Sequence, residues 1–213
     1  MPGVATANQL KQFTTVVADI GDFQGMKEFA LKDATTNPTL ILKAVEKQEY
    51  ASRADEAVAA CQDNGLSGQA LVDANANELL VCFGIEILKI VLGRVSTEVA
   101  SRLSYDTEGM VGKAREIIEL YRSKGIDSDR ILTKIASNWE GINAAKTLEK
   151  EGILCNLTLL FSLVRAVHCV ESGATPISPL VGRILDWNKA NTGRDYAAHE
   201  NPRVQSVQTI YNY

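Results

Sequence analysis

Apolar and polar positions along this chain follow two rhythms that take turns. Short β-branched or continuously apolar runs, such as TTVVADI (Thr14 to Ile20), RVSTEV (Arg94 to Val99), RILTKIAS and CNLTLLF, read as strands. Longer stretches with apolar residues every three or four positions lie between them and read as helices. DFQGMKEFA reads as a helix capped by Asp22. In DATTNPTLIL the ATT is a short strand, Asn37 stands as an N-cap, and Pro38 occupies the first helical position. Two long helical stretches follow, Ala51 to Asn64 and Gln69 to Val91, separated by the turn-like NGLSG. After RVSTEV comes the amphipathic TEGMVGKAREIIELYRSKG, ended by Gly125. The alternation then quickens: RILTKIAS strand, WEGINAAKTLEKEG helix, CNLTLLF strand, SLVRAVHCVESG helix, ATPISPLV strand, GRILDWNKA helix. Six strands, each followed by a helix long enough to cross over, predict a parallel α/β sheet in one domain spanning residues 1–213.

A doubly wound sheet and a (β/α)8 TIM-barrel type both satisfy that order, and the polar residues in the strands decide between them. Asp19, Asn37, Glu98, Lys134, Asn156, Thr158 and Ser178 each lie within or at the end of an apolar run, and Asn156 and Thr158 are two apart, on one face. An open sheet would scatter these groups through two helix-covered layers, whereas a barrel gathers them at its C-terminal mouth. No G-x-G-x-x-G follows the first strand, which removes the usual sign of a dinucleotide fold. The barrel is the expected fold.

Composition narrows the function classes. With 46% hydrophobic and 23% charged residues and a formal net charge of -4, the chain reads as a globular protein with no electrostatic reason to bind nucleic acid. It has no signal-like leader and no long apolar span, so no membrane partner is expected and the cytoplasm is the default location. Cys61, Cys82, Cys155 and Cys169 lack metal or redox spacing and read as buried free thiols; His168 and His199 are too few and too far apart for a metal site. His168 reads as a packed or surface helix residue.

Lys134, in the middle of ILTKIAS, is the charge that asks for an explanation. Desolvation inside a barrel favours the neutral amine, and a neutral amine condenses with a ketone or aldehyde to a Schiff base. That imine is an electron sink for cleavage of the adjacent carbon–carbon bond. Carboxylates would then move protons, a hydroxyl would position water, and amides would hold substrate hydroxyls, with no metal or cofactor required. Each residue also has a plainer reading. Lys134 can snorkel to solvent or pair with Glu98, Asp19 and Asn37 fit helix starts after a strand, and Ser178 before Pro179 fits a turn.

TTVVADIGD, DATTNPTLIL, GRVSTEV with RLSYDTE, ILTKIAS with NWEGI, GILCNLTLLFS and ISPLVGRILDW together resemble the transaldolases of the pentose phosphate pathway, in order and spacing, over essentially the whole chain. The resemblance implies a class I aldolase-type barrel. It would transfer a dihydroxyacetone unit from sedoheptulose 7-phosphate or fructose 6-phosphate to an aldose phosphate, erythrose 4-phosphate or glyceraldehyde 3-phosphate. It implies Lys134 as the Schiff-base lysine, Asp19 as the general acid/base, and Glu98 with Thr158 as the pair that positions water. Thr35, Asn37, Asn156 and Ser178 would bind substrate hydroxyls, and Arg183 the phosphate. Its partners would be sugar phosphates, with a homodimer or higher association as the assembly.

Several positions depart from the family pattern. Leu180 stands where the family has an aromatic, Ala100 where it has an acid, Arg165 where it has a glutamine, and Leu92 where it has a proline. The resemblance also implies a seventh and eighth strand after TIYNY. The expected fold is therefore a C-terminally incomplete barrel with six of the eight βα units, where a barrel typically takes about 250 residues. Two alternatives stand beside transaldolase activity: a weak or inactive shortened barrel acting through association, and a fructose-6-phosphate aldolase that releases dihydroxyacetone.

Overall fold

The computed structural model describes residues 7–19, 23–62, 65–197 and 200–211. Its strands are β1 (Val17–Asp19), β2 (Asp33–Thr35), β3 (Val95–Glu98), β4 (Ile131–Ala136), β5 (Cys155–Leu160) and β6 (Ile177–Pro179). Its helices are α1 (Phe23–Phe29), α2 (Pro38–Val45), α3 (Ala51–Gln62), α4 (Gly68–Leu88), α5 (Thr107–Ser123), α6 (Trp139–Lys150), α7 (Leu163–Glu171), α8 (Val181–Thr192) and α9 (Pro202–Tyr211). The strands form one sheet in the order β1-β2-β3-β4-β5-β6, with parallel pairing at β1–β2, β2–β3 and β5–β6. A doubly wound sheet reverses its strand order at a switch point. Here every strand lies beside its sequence neighbour, and the fold is of the (β/α)8 barrel type with six strands among the described residues.

The chain divides into two compact units, Met1–Glu98 with Ala114–Thr133, and Val99–Lys113 with Lys134–Tyr213. In the first, Asn37 caps α2: its side chain accepts the Leu40 amide at 2.9 Å and Pro38 opens the helix. Such a cap contributes about 1 kcal/mol. Arg130 closes the far end of α4, donating to the carbonyl of Leu88, one of those a helix C-terminus leaves unpaired, and to those of Val91 and Gly93 just beyond it. The buried Glu78 of α4 is paired with Lys124 beyond α5.

One hydrogen bond fixes the orientation of β3. Thr97 Oγ1 meets the hydroxyl of the fully buried Tyr121 on α5 at 2.7 Å, so Val95 and Thr97 face the helices. The space for Tyr121 exists because residue 84 on α4 is glycine: a Cβ there would lie 1.8 Å from the tyrosine oxygen. Register carries the pattern along the sheet, with Ala18 beside Ala34 and Ala34 beside Val95, all buried.

In the second unit, Asn138 caps α6 by accepting the Gly141 amide at 3.0 Å, and its amide group donates to Ser104 O. Gly141 is required there, since a Cβ would come within 1.9 Å of Ala136 O. The same Cβ would lie 3.0 Å from Ile135 Cγ2, which puts Ile135 on the helix side of β4. Ser162 caps α7 and accepts the Arg165 amide at 3.4 Å. Cys61, Cys155 and Cys169 are buried free thiols and Cys82 is a half-buried one. Burial pushes the Cys169 thiol up to about 11, so it is not a poised nucleophile. His168 is a surface helix residue, paired with Glu171 at 3.2 Å and set edge-on to Trp139. His199 and the cap residue Asp22 lie outside the described residues.

β1 and β6 are much shorter than their apolar runs. β6 is confined to Ile177–Pro179 by prolines at 176 and 179, neither of which can donate to a ladder. β1 and β2 are three residues each, and Thr14 and Thr15 of the first apolar run precede the strand as exposed residues. Among the described residues no helix is long and apolar enough to cross a membrane, and no group of three or more metal-ligating side chains is assembled.

Candidate active site

Period-two alternation sorts the strand residues of each unit onto two faces. In the first unit Thr97 faces the helices, so Ser96 and Glu98 face the other way. The register places Thr35 beside Ser96 and Asp19 beside Thr35 on that same face. Asp19, at the end of β1, is exposed; Glu98, at the end of β3, is half-buried. Thr35 is notable for its hydroxyl, which is buried without a hydrogen-bond partner. A native protein rarely leaves a buried hydroxyl unpaired. Asn37 sits two residues beyond Thr35, its carbonyl oxygen committed to the α2 cap.

Ser96 shares this face and is buried, and sequence reading alone passed over it. The run STE offers three consecutive polar residues, and only the Tyr121 contact tells which one turns to the helices. The STE spacing could have raised it, since Ser96 and Glu98 are two apart in a strand.

The second unit gathers four of the expected residues. Ile135 is on the helix side, so Lys134 is on the other, and it is only 8% exposed. The Ser137 amide donates to Thr158 O at 2.7 Å. In a parallel ladder that bond sets Ala136 beside Thr158 and, two residues back, Lys134 beside Asn156. Asn156 and Thr158 are 4% and 5% exposed. From the next strand Ser178 Oγ donates to Asn156 Oδ1 at 2.7 Å, so Ser178 joins the same face. An amine, an amide and two hydroxyls thus line consecutive strands, largely out of water. Such a set can present a nitrogen nucleophile to a carbonyl and hold neighbouring hydroxyls by hydrogen bonds.

Arg183 stands apart from that cluster, in the first turn of α8, with its side chain 77% exposed and only a loose 3.9 Å approach to Asp186. Leu180 precedes this helix, half-buried, and offers it no side-chain cap. The turn is therefore open to an anion approaching its backbone amides and the guanidinium. A cavity of about 590 Å³ lies behind the end of β5, bounded by Phe161, Ser162, Arg194, Tyr196 and Glu200. Its charges already serve one another, because Arg194 pairs with Glu200 at 2.6 Å and lies 5.6 Å from the centre of the Tyr196 ring.

The family model for Transaldolase/Fructose-6-phosphate aldolase matches residues 16–213. The chain belongs to that family. Proteins named transaldolase from Shewanella sp. (strain W3-18-1) and Aeromonas salmonicida (strain A449) are 53% and 55% identical to it over 208 and 206 residues. One from Vibrio cholerae serotype O1 (strain M66-2) is 54% identical over 205 residues. These alignments cover 98%, 96% and 96% of this chain and 65% of each relative. The chain thus spans about two thirds of the length of these curated relatives. This is the family that the segments quoted from the sequence resemble.

Proposed function

We propose that this chain carries a transaldolase-type Schiff-base site, with Lys134 as the nucleophile. The observation that carries this reading is the burial of Lys134 on the face of β4 opposite Ile135, flanked by the Asn156–Ser178 pair, in a chain of the transaldolase/fructose-6-phosphate aldolase family. The amine adds to the C2 carbonyl of a ketose phosphate, fructose 6-phosphate or sedoheptulose 7-phosphate, and loss of water gives the imine. Asp19 takes the proton of the C4 hydroxyl as the C3–C4 bond breaks, the electron pair passes into the imine, and the aldose phosphate leaves. The enamine then adds to the aldehyde of erythrose 4-phosphate or glyceraldehyde 3-phosphate, Asp19 returns the proton, and water frees the product.

Glu98 and Thr158 position that water. Thr35, Asn37, Asn156 and Ser178 hold donor hydroxyls, and the unpaired Thr35 oxygen gains a partner when substrate binds. Arg183 binds the phosphate. This chemistry belongs to the non-oxidative pentose phosphate pathway in the cytoplasm. Neither a metal nor a cofactor has a step in it.

Leu180, where the family pattern has an aromatic, favours a second reading: water protonates the enamine and free dihydroxyacetone leaves. Fructose 6-phosphate supplied with and without erythrose 4-phosphate separates the two. Formation of sedoheptulose 7-phosphate only when acceptor is present, lost in Lys134→Met, is the expected result. Dihydroxyacetone released without acceptor would establish the aldolase reading instead. Absence of both products from a cooperatively folded chain, or turnover unaffected by Lys134→Met, would sink both.

A further inference from the structure

The end of β5 is not a regular strand. Leu157 pairs with Ile177 and Leu160 with Pro179, so Thr158 and Leu159 together stand against the single Ser178. That is a β-bulge, which in a parallel sheet is uncommon and next to a site is a means of re-aiming side chains. Its backbone is unusual as well. Leu159 has φ +58, in the left-handed region where a Cβ crowds the following carbonyl. The residue is 44% exposed, so packing of the leucine does not explain why the chain accepts this conformation.

The bulge is held from outside rather than by its own side chain. Leu157 N donates to Pro176 O at 3.1 Å before it, and Leu180 N donates to Leu160 O at 3.2 Å after it. On the other flank the Ser137 amide holds Thr158 O at 2.7 Å, and the Arg165 guanidinium reaches Leu159 O at 3.4 Å from the first turn of α7. A regular strand through 155–160 would set Thr158 directly against Ser178 and advance every later residue of β5 by one position. In the structure Thr158 stays bonded to the Ser137 amide on the β4 side, and on the β6 side it shares Ser178 with Leu159, beyond the Asn156–Ser178 contact.

We infer that Leu159 is a positioning residue: its left-handed backbone creates the bulge that places the Thr158 hydroxyl for chemistry beside Lys134. The inference rests on the reading of Lys134 as the nucleophile. It predicts that backbone preference at position 159, and not side-chain size, controls the rate of imine formation.

Two variants and two readouts test it. Leu159→Gly relieves the crowding and keeps the bulge, whereas Leu159→Ile, β-branched, resists the left-handed region. Trapping of the fructose 6-phosphate adduct by borohydride is expected to proceed at the parent rate in Leu159→Gly. In Leu159→Ile it should slow by about tenfold or more at an unchanged half-saturating donor concentration, the signature of misplacement without lost binding. Amide hydrogen exchange gives the second readout without any substrate. Ser137 should lose protection relative to the core amides of β4 in Leu159→Ile and keep it in Leu159→Gly.

Equal trapping rates and equal Ser137 protection in the parent and Leu159→Ile would overturn the inference. So would a loss in Leu159→Gly as large as in Leu159→Ile, because side-chain volume would then be the cause. A folded parent chain that forms no adduct refutes the Lys134 reading and with it the chemical role assigned to the bulge. The exchange pattern separately decides whether Leu159 sets the backbone.

Discussion

Strands β3 and β5 both carry polar residues and put them to different ends. On β3 the polar group that turns to the helices, Thr97, is met by the Tyr121 hydroxyl at 2.7 Å, and the space for that ring is secured by a glycine on α4. Each of these buried hydroxyls is satisfied by the other. On β5 the polar residues Asn156 and Thr158 lie on the face opposite Cys155 and Leu157, and Asn156 is joined to Ser178 by a side-chain hydrogen bond. A polar residue in a parallel strand is therefore not informative by type alone. Its face decides whether it completes the core or is offered to a ligand.

Thr158→Val should give the largest contrast. The change is nearly isosteric, so stability should move by less than about 1 kcal/mol while adduct formation falls about 10²-fold. Denaturant melts and borohydride trapping on one preparation measure both. On the β3 side Gly84→Ala should do the reverse. A methyl 1.8 Å from the Tyr121 oxygen cannot be accommodated without moving a fully buried ring, and the expected loss is about 3 kcal/mol. The rate per folded molecule should stay within about twofold of the parent.

Tyr121→Phe is milder. It leaves Thr97 Oγ1 buried and unpaired, and the melt should report a loss of about 1–3 kcal/mol. Adduct formation impaired as strongly by Tyr121→Phe as by Thr158→Val would break the comparison.

The smallest effect concerns pH. Glu149 accepts the Cys155 amide at 2.7 Å, and burial raises its carboxyl above the usual range while the Cys155 and Thr175 amides oppose that shift. A folded-state pKa above the unfolded value means the stability tied to the protonated form is full below the unfolded value, about 4.3, and is lost as pH rises through the folded one. Glu149→Gln removes this titration. The stability of the variant minus that of the parent should therefore increase from pH 4 to pH 7, and a difference that is flat or decreasing would refute the assignment.

Much of the fold was legible because local signals agreed. Asn37 followed by Pro38, the apolar runs of β4 and β5, and Gly125 after α5 each mark an element boundary, and the structure places α2, both strands and the end of α5 there. Lys134 was legible as an anomaly, since an ammonium in ILTKIA violates the pattern of its neighbours. Two features were not legible. LTLL contains no glycine or asparagine to announce a left-handed residue, so the bulge at Leu159 has no local signature and is read only from the β5–β6 register. Likewise STE does not say which residue turns inward, because that choice is made by Tyr121, over twenty positions away in sequence. Residues chosen by tertiary context are read from contacts, and residues that break a pattern are read from the chain.

The most direct test is to identify the atom that reacts. The chain is incubated with fructose 6-phosphate, reduced with borohydride, digested and mapped by mass spectrometry. The account predicts one ketose-phosphate or dihydroxyacetone adduct on the peptide containing Lys134, absent when borohydride is omitted and absent from Lys134→Met. An adduct on a different lysine, or none from a chain that melts cooperatively, would contradict it.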